Sequence, residues 1–488
     1  MKCKIAVSGE IIPSAGLHDK GSEKMTQNMG NQTGTTPVWA KLNGPEQEAV
    51  MNLAEEYRQF ISAAKTERET IDLAVATAGD KGFVPLEQRS ALQPGDRVFA
   101  TWRGKCMAMA VIGSEPLEKG VNVVAAHGDS PRLDLKPRPL YEEADLALFK
   151  THYYGGIKKY HWVGIPLALH GVVVKEDGQV LKLVIGERAT DPVFTIADLL
   201  PHLAREQMEK KMGEGISGEG LSLLAGGFPV DDREVKEKIK QTLLDYLNRE
   251  YGLQEEDFIS AEIEAVPAWP ARDVGLDGSM IGAYGQDDRV SVFTTLKAIV
   301  DLPAPARTAV ALFVDKEEIG SVGNTGMYSA FFTNFMAELA GRIVPRYNEL
   351  VLRRILANSR ALSADVNAGL DPNYPEVMDK LNAARLGHGV VLTKYTGSGG
   401  KKGASDAHAE FMSLVRRLFN RHGVAWQSGL LGKVDQGGGG TIAYLLAAHG
   451  MDVVDCGVPL LGMHSPFEVA HKVDIYMAYR GYRAFFEG

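Results

Sequence analysis

Residues 121–130 read VNVVAAHGDS. Apart from Asn122, the run from Val121 to Ala126 is apolar at consecutive rather than alternate positions, as in a strand buried on both faces of a helix-covered sheet. His127 and Asp129 stand where that strand stops. Two shorter apolar runs precede it, RVFATW (97–102) and KCMAMAVIG (105–113). Before those, PEQEAVMNLAEEYRQFISAAK (45–65) places Val50, Leu53, Tyr57 and Ile61 on one helical stripe. From Arg289 a helix to Leu302 leads into a strand, RTAVALFV (307–314), and a second strand at ALSAD (361–365). An amphipathic helix, AEFMSLVRRLFNRHG (409–423), and a helix in TIAYLLAAHG (441–450) follow. Such alternation implies an α/β fold, a mainly parallel central sheet with helices on both faces. In HSPFEV (464–469), Ser465 as N-cap, Pro466 at the first helical position and Glu468 closing a capping box predict a last helix running to about Phe486.

The pattern changes between residues 137 and 268. GVVVKEDGQVLKLVIGE (171–187) reads as a hairpin turning at Glu176, Asp177 and Gly178, followed by charged amphipathic helices over Ile196–Met212 and Asp231–Tyr251 and a strand in DFISAEIEAV (257–266). We read 137–268 as an inserted, β-rich α+β domain and 37–136 with 269–488 as one discontinuous α/β domain. Residues 1–36, rich in Gly, Ser, Thr, Asn and Gln over their later part, read as a flexible arm.

Fifty-three Lys plus Arg against 62 Asp plus Glu give a net charge of −9, which disfavours nucleic acid as a partner. Cys3, Cys106 and Cys456 are too few and too far apart for a disulfide framework or a zinc knuckle, and suit a reducing cytoplasm. The apolar stretch in MKCKIAVSGEIIPSAG is too short for a signal peptide, and no apolar run reaches membrane-spanning length. The expectation is a cytoplasmic protein.

Several apolar runs end in side chains that can bind metal: His127 and Asp129, Glu317 and Glu318 after TAVALFV, Asp365 after ALSA, and His464 after VVDCGVPLLGM. In open α/β sheets functional groups gather beyond the carboxyl ends of the strands. Asp287, in GQDDRVSVF (285–293), precedes a helix start that favours a carboxylate, and Asp288 competes with it. Any one of these residues alone reads best as a loop hydrogen-bonder. Together, two His and several carboxylates without Cys match a hydrolytic Zn, Mn or Co centre. Two cations roughly 3.5–4 Å apart need a shared carboxylate and an open face for water and substrate. A further acid must move the water's proton. The Glu317–Glu318 pair supplies a non-ligand acid beside a ligand acid, and Asp129 is suited to holding the other nitrogen of His127.

Five motifs in order, HGDSPRLDLKP (127–137), GQDDRVSVF, VDKEEIGSVGNTG (314–326), ALSADVNAGLDPNYPE (361–376) and MHSPFEVAHKVD (463–474), resemble those of the aspartyl aminopeptidase-like family of dinuclear metallopeptidases. HYYGGIKKYHWVGIPLALHGVV (152–173) resembles the opening of that family's inserted dimerisation domain. The resemblance implies an aminopeptidase with two divalent ions, zinc first and cobalt or manganese as the other fitting metals. It implies His127 and Asp365 on one ion, Glu318 and His464 on the other, Asp287 bridging, Asp129 orienting His127, and Glu317 as general base. It also implies peptide substrates with an acidic first residue, met by Lys394, and a homo-oligomer, dimer-based and up to a dodecamer, in which His202 reaches a neighbour's site.

The chain departs from the family at Trp162–Val163–Gly164–Ile165, where Trp-Phe-Asp-Arg is usual, and in the Gly-rich VVLTKYTGSGGKKGASDAHAEF (390–411), which puts the acidic preference in doubt. The glycines at 437–440 lack the Lys-Ser/Thr ending of a phosphate loop and read as close backbone packing. The competing functional readings are a metal-dependent deacylase or amidase on the same scaffold, and a catalytically silent metal-binding assembly protein.

Overall fold

The strand that begins at Asn122 lies near the middle of a nine-stranded sheet. Its order is Val84–Pro85, Arg97–Trp102, Cys106–Val111, Ala309–Val314, Asn122–His127, Arg360–Ser363, Asp452–Gly457, Val390–Thr393 and Trp426–Ser428. This computed structural model describes residues 36–488; the expected arm lies outside them except for Thr36. The four middle strands, Ala309–Val314 to Asp452–Gly457, are mutually parallel, and their flanking neighbours run antiparallel to them. Alternate residues feed two separate cores. Val124, Ala126, Ala311 and Phe313 face one, and Val123, Ala125, Val310 and Leu312 face the other, which is why these runs are apolar at successive positions. Helices Gly44–Ala63, Gln286–Val300, Ala409–Arg421 and Lys472–Glu487 cover the first face. Phe331–Ile343, Glu349–Ala357 and the short Ala443–Ala447 cover the second. The first helix starts at a capping box, with Asn43 and Glu46 each accepting the other's backbone N–H.

A second sheet, wholly antiparallel, has the order Val180–Ile185, Leu167–Val174, Ala261–Pro267, Arg132–Glu143, Leu146–Tyr154 and Leu223–Gly226. Its first strand begins at Arg132, directly after the segment carrying His127 and Asp129. The hairpin expected around Glu176–Gly178 joins two of its strands. Helix Lys238–Tyr251 packs on it through Ile239 and Leu247.

One expected helix is absent, and two others begin later than expected. Over Ile196–Met212 the chain forms only the turns Arg205–Met208 and Met212–Gly215. Leu199, Leu200 and Leu203 are exposed, so the apolar stripe has nothing among the described residues to pack on, and Pro201 withholds a helical N–H. The helix expected from Asp231 begins at Lys238. After Ser465 the backbone extends into a strand, Glu468–His471, between Met280–Ala283 and Pro459–Leu461 in a third, five-stranded sheet. The last helix begins at Lys472, capped by His471. Glu468 is buried rather than exposed as a cap, because its carboxylate is used inside the site described below.

The second sheet is clamped to the first by charge. His170 Nδ1 lies 2.7 Å from Glu69 Oε1 and its Nε2 3.0 Å from Glu187 Oε1, while Lys65 Nζ meets Glu187 and donates to Pro267 O at 2.8 Å. Burial opposes protonation of His170, but the bonds to Glu187 and Glu69 outweigh it and raise the imidazole's pKa. The sign follows from linkage: stability from a raised histidine is complete below its unfolded value of about 6.5 and is lost as pH climbs through the folded one. Wild type should therefore lose roughly 1–2 °C of Tm relative to His170→Gln across that rise, since about 1 kcal/mol shifts Tm by about 2–4 °C at 150–250 residues and by less in a longer chain. Parallel Tm-against-pH curves for the two proteins would refute this clamp.

Candidate active site

His127 is the last residue of its strand and is buried. Its Nδ1 lies 3.3 Å from Asp129 Oδ1 and 3.1 Å from the Asp129 carbonyl, which turns Nε2 toward Asp287 Oδ1 at 3.4 Å and Asp365 Oδ1 at 3.9 Å. Glu317 and Glu318 open a 3-10 turn after the Ala309–Val314 strand, entered and left through left-handed Lys316 and Gly320. Both of their backbone N–H groups donate to Asp129, Glu317 to Oδ1 at 3.1 Å and Glu318 to Oδ2 at 3.2 Å. One carboxylate thus fixes both the imidazole and the acidic turn.

Asp287 stands at the head of helix Gln286–Val300 with an extended backbone. While its Oδ1 faces His127, its Oδ2 lies 3.2 Å from His464 Nε2, and the same nitrogen is 3.2 Å from Glu318 Oε1. Asp288, its competitor in the sequence, turns instead to accept from the His127 backbone N–H at 3.3 Å and does not line the cavity.

The electrostatics are unbalanced for protein groups alone. Burial, then Asp365, pushes Glu317 up to about 9, and burial with Asp287 pushes Glu318 up to about 7. Burial raises Asp365 as well. The surrounding carboxylates overcome burial to raise His127, and to push His464 up to about 12. Among the described residues, Asp287 Oδ1 and Glu318 Oε1 are buried oxygens with no hydrogen-bond partner. Donor atoms of His127, Asp287 and Glu318 lie within 4.8 Å of one another, and so do those of His127, Glu317 and Asp365. Crowded carboxylates with spare lone pairs beside imidazole nitrogens fit divalent cations of the zinc kind.

These acids and His464 open on a cavity of about 390 Å³, walled further by Val366, Thr396, Leu431, Tyr444, Met463 and the backbone of Gly438–Gly440. Among the described residues no lysine or arginine lines it. Of the 437–440 glycines, Gly437 and Gly438 pack closely as expected, a Cβ on Gly437 falling 1.7 Å from Leu431 O, whereas one on Gly440 would meet open space.

The profile of the Aminopeptidase I zinc metalloprotease (M18) family matches residues 60–486 of this chain. The chain belongs to the M18 aminopeptidase family. It is 50% identical over 452 residues to a probable M18 family aminopeptidase 1 of Clostridium acetobutylicum, covering 92% of this chain and 97% of that protein. The crystal structure of the M18 aminopeptidase of Thermotoga maritima superposes with a TM-score of 0.89 at 47% identity, over 93% of this chain and all of that one. At 22% identity, the S. cerevisiae mApe1 dodecamer structure shares the fold with a TM-score of 0.72, over 89% of this chain and 96% of that one. The resemblance carried by the five motifs is therefore borne out, and the protein is a metal-dependent aminopeptidase.

Within this M18 chain, two residues singled out for substrate contact stand apart from the cavity. Lys394 Nζ is engaged by Asp406 Oδ1 and by Ala407 O, each at 3.0 Å. His202 is exposed in a turn and does not line this chain's cavity. At Trp162–Ile165 the packing is apolar: Trp162 is buried edge-on to Tyr284, with Val163 and Ile165 against the same core. Sequence reasoning missed Glu468, which accepts from His464 N at 2.7 Å and Asp287 N at 3.1 Å. Burial pushes its carboxyl up to about 8. It also missed Tyr154 and Gly156, which touch the site from the second sheet.

Proposed function

We propose that this M18 enzyme removes N-terminal residues with uncharged side chains from peptides, with two divalent ions and Glu317 as general base. The reading rests on Asp287, which offers one oxygen to each imidazole, at 3.4 and 3.2 Å. His127 and Asp365 would hold one ion, Glu318 and His464 the other, with Asp287 between them. When bound, zinc or a similar ion acidifies a water and polarises the scissile carbonyl. Glu317 takes the water's proton and passes it to the departing amine, a task its place in the cavity beside the ligand Glu318 suits. Asp129 keeps His127 and the Glu317 turn in register.

Among the described residues no lysine or arginine lines the cavity to pair with an acidic first side chain, which would meet several carboxylates and be costly to desolvate. Val366, Leu431 and Met463 suit an apolar or small polar side chain instead. A panel of peptides should therefore show kcat/KM at least about tenfold higher for N-terminal Leu or Met than for Asp or Glu, within the range pocket contacts supply. N-acetylated peptides should be inert, and metal analysis should return two ions per chain. Preference for Asp would refute this specificity; cleavage of blocked peptides would refute exopeptidase action.

The 137–268 segment is proposed as the assembly unit of a homo-oligomer. The exposed Leu199, Leu200 and Leu203 support this, as does the dodecamer reported for the S. cerevisiae relative. Unpaired, buried Cys106 and Cys456 are consistent with residence in the cytoplasm. Among the described residues no helix is long and apolar enough to cross a membrane.

A further inference from the structure

We infer that the end of the Leu146–Tyr154 strand, part of the second sheet, positions the catalytic centre of the first: Tyr154 acts through Asp129 on Glu317, and Gly156 acts on His464. The inference rests on the roles proposed above for Glu317 and His464.

Tyr154 Oη donates to Asp129 Oδ2 at 2.8 Å. That carboxylate also receives the Glu317 and Glu318 N–H groups and faces His127 Nδ1. The phenol therefore reaches Asp129 from another sheet. It is not free to swing. The Arg132 guanidinium lies 3.9 Å from the ring centroid, and Arg132 is the cross-strand partner of Tyr154. Arg132 is itself buried and tied to Asp134 at 2.8 Å, Glu264 at 3.1 Å and Glu67 at 3.5 Å. An oriented carboxylate in turn holds the 317–318 turn, so the hydroxyl's effect should reach the base through Asp129.

Two residues further on, the Gly156 carbonyl lies 2.9 Å from His464 Nδ1. A proton donated there leaves Nε2 free to bind a cation shared with Asp287 and Glu318, which lie 3.2 Å away. The approach depends on glycine. A Cβ on Gly156 would sit 3.2 Å from His464 Nδ1, and one on left-handed Gly155 would sit 3.3 Å from Glu318 Cβ. The strand end thus reaches both sides of the centre while contributing no metal ligand. Each contact acts by holding a neighbour in place, which makes Tyr154 a positioning residue.

Tyr154→Phe keeps the ring under Arg132 and removes only the hydroxyl. Its kcat per folded, zinc-loaded chain should fall about tenfold, with KM, zinc content and Tm close to wild type. A purely structural hydroxyl would shift Tm and leave that kcat alone. Gly156→Ala, which lacks a φ penalty, should weaken zinc in chelator competition by roughly 10–100-fold, the range for residues that orient ligands. Wild-type kcat in Tyr154→Phe together with wild-type zinc affinity in Gly156→Ala would overturn the inference. Glu317→Gln, assayed alongside, separates the two levels. If it is inert while Tyr154→Phe is fully active, the positioning of the base falls alone; if it is fully active, the base assignment falls first.

Discussion

Glu317→Gln is expected to retain its metal ions and to lose about 10²–10⁴ of kcat, the range for a positioned proton-transfer group. The substitution is nearly isosteric and leaves the backbone N–H that binds Asp129 Oδ1. The 316–320 turn should therefore keep its shape and Glu318 its place beside His464. What disappears is the one carboxyl oxygen able to take up the proton, while Glu318 keeps its contact with His464. Glu318→Gln should behave differently: it removes an oxygen 3.2 Å from His464 Nε2 and should release metal as well as activity. Metal analysis beside steady-state kinetics on the two variants distinguishes base from ligand. Wild-type turnover in Glu317→Gln would mean that another group moves the proton.

The sequence was legible where one physical demand governed a stretch. The continuous apolar runs could be read as doubly buried strands because both cores draw on alternate residues of the same strand, as Val123 and Val124 do. Their polar ends could be read as one site because parallel strands deliver their carboxyl ends to one edge. Misreadings arose where two demands shared the same residues. Ser465, Pro466 and Glu468 satisfy the local rules for a helix start, yet Glu468 is claimed by two backbone N–H groups of the site, one of them 181 positions away. The Leu199–Leu203 stripe has helical spacing, but among the described residues it has no core to cover. Tyr154 and Gly156 escaped notice for a related reason. They lie within a string read as part of the insertion, and their partners Asp129 and His464 follow strands of the first and third sheets. Residues that act by holding a ligand leave no spacing signal of their own.

Asp287→Ala should abolish binding of both ions, whereas Asp365→Ala should cost only one. The difference follows from where the oxygens point. Asp365 approaches His127 alone, at 3.9 Å, while Asp287 faces His127 with one oxygen and His464 with the other. Removing Asp287 also withdraws the anion that most directly offsets both imidazoles, so the remaining donors are left poorly matched to either cation. Affinity should fall by more than the roughly 10–100-fold seen when a merely orienting residue is lost, with activity below detection. Thermal shift gives a readout independent of turnover. Zinc at 100 times its Kd should stabilise wild type by about 2.7 kcal/mol per site, a gain that should vanish in Asp287→Ala and halve in Asp365→Ala. If Asp287→Ala still bound one ion with wild-type affinity, Asp287 would be an ordinary terminal ligand. The remaining ion would then have to be held without it, and the pairing of His127 with Asp365 and of Glu318 with His464 around a shared carboxylate would have to be redrawn.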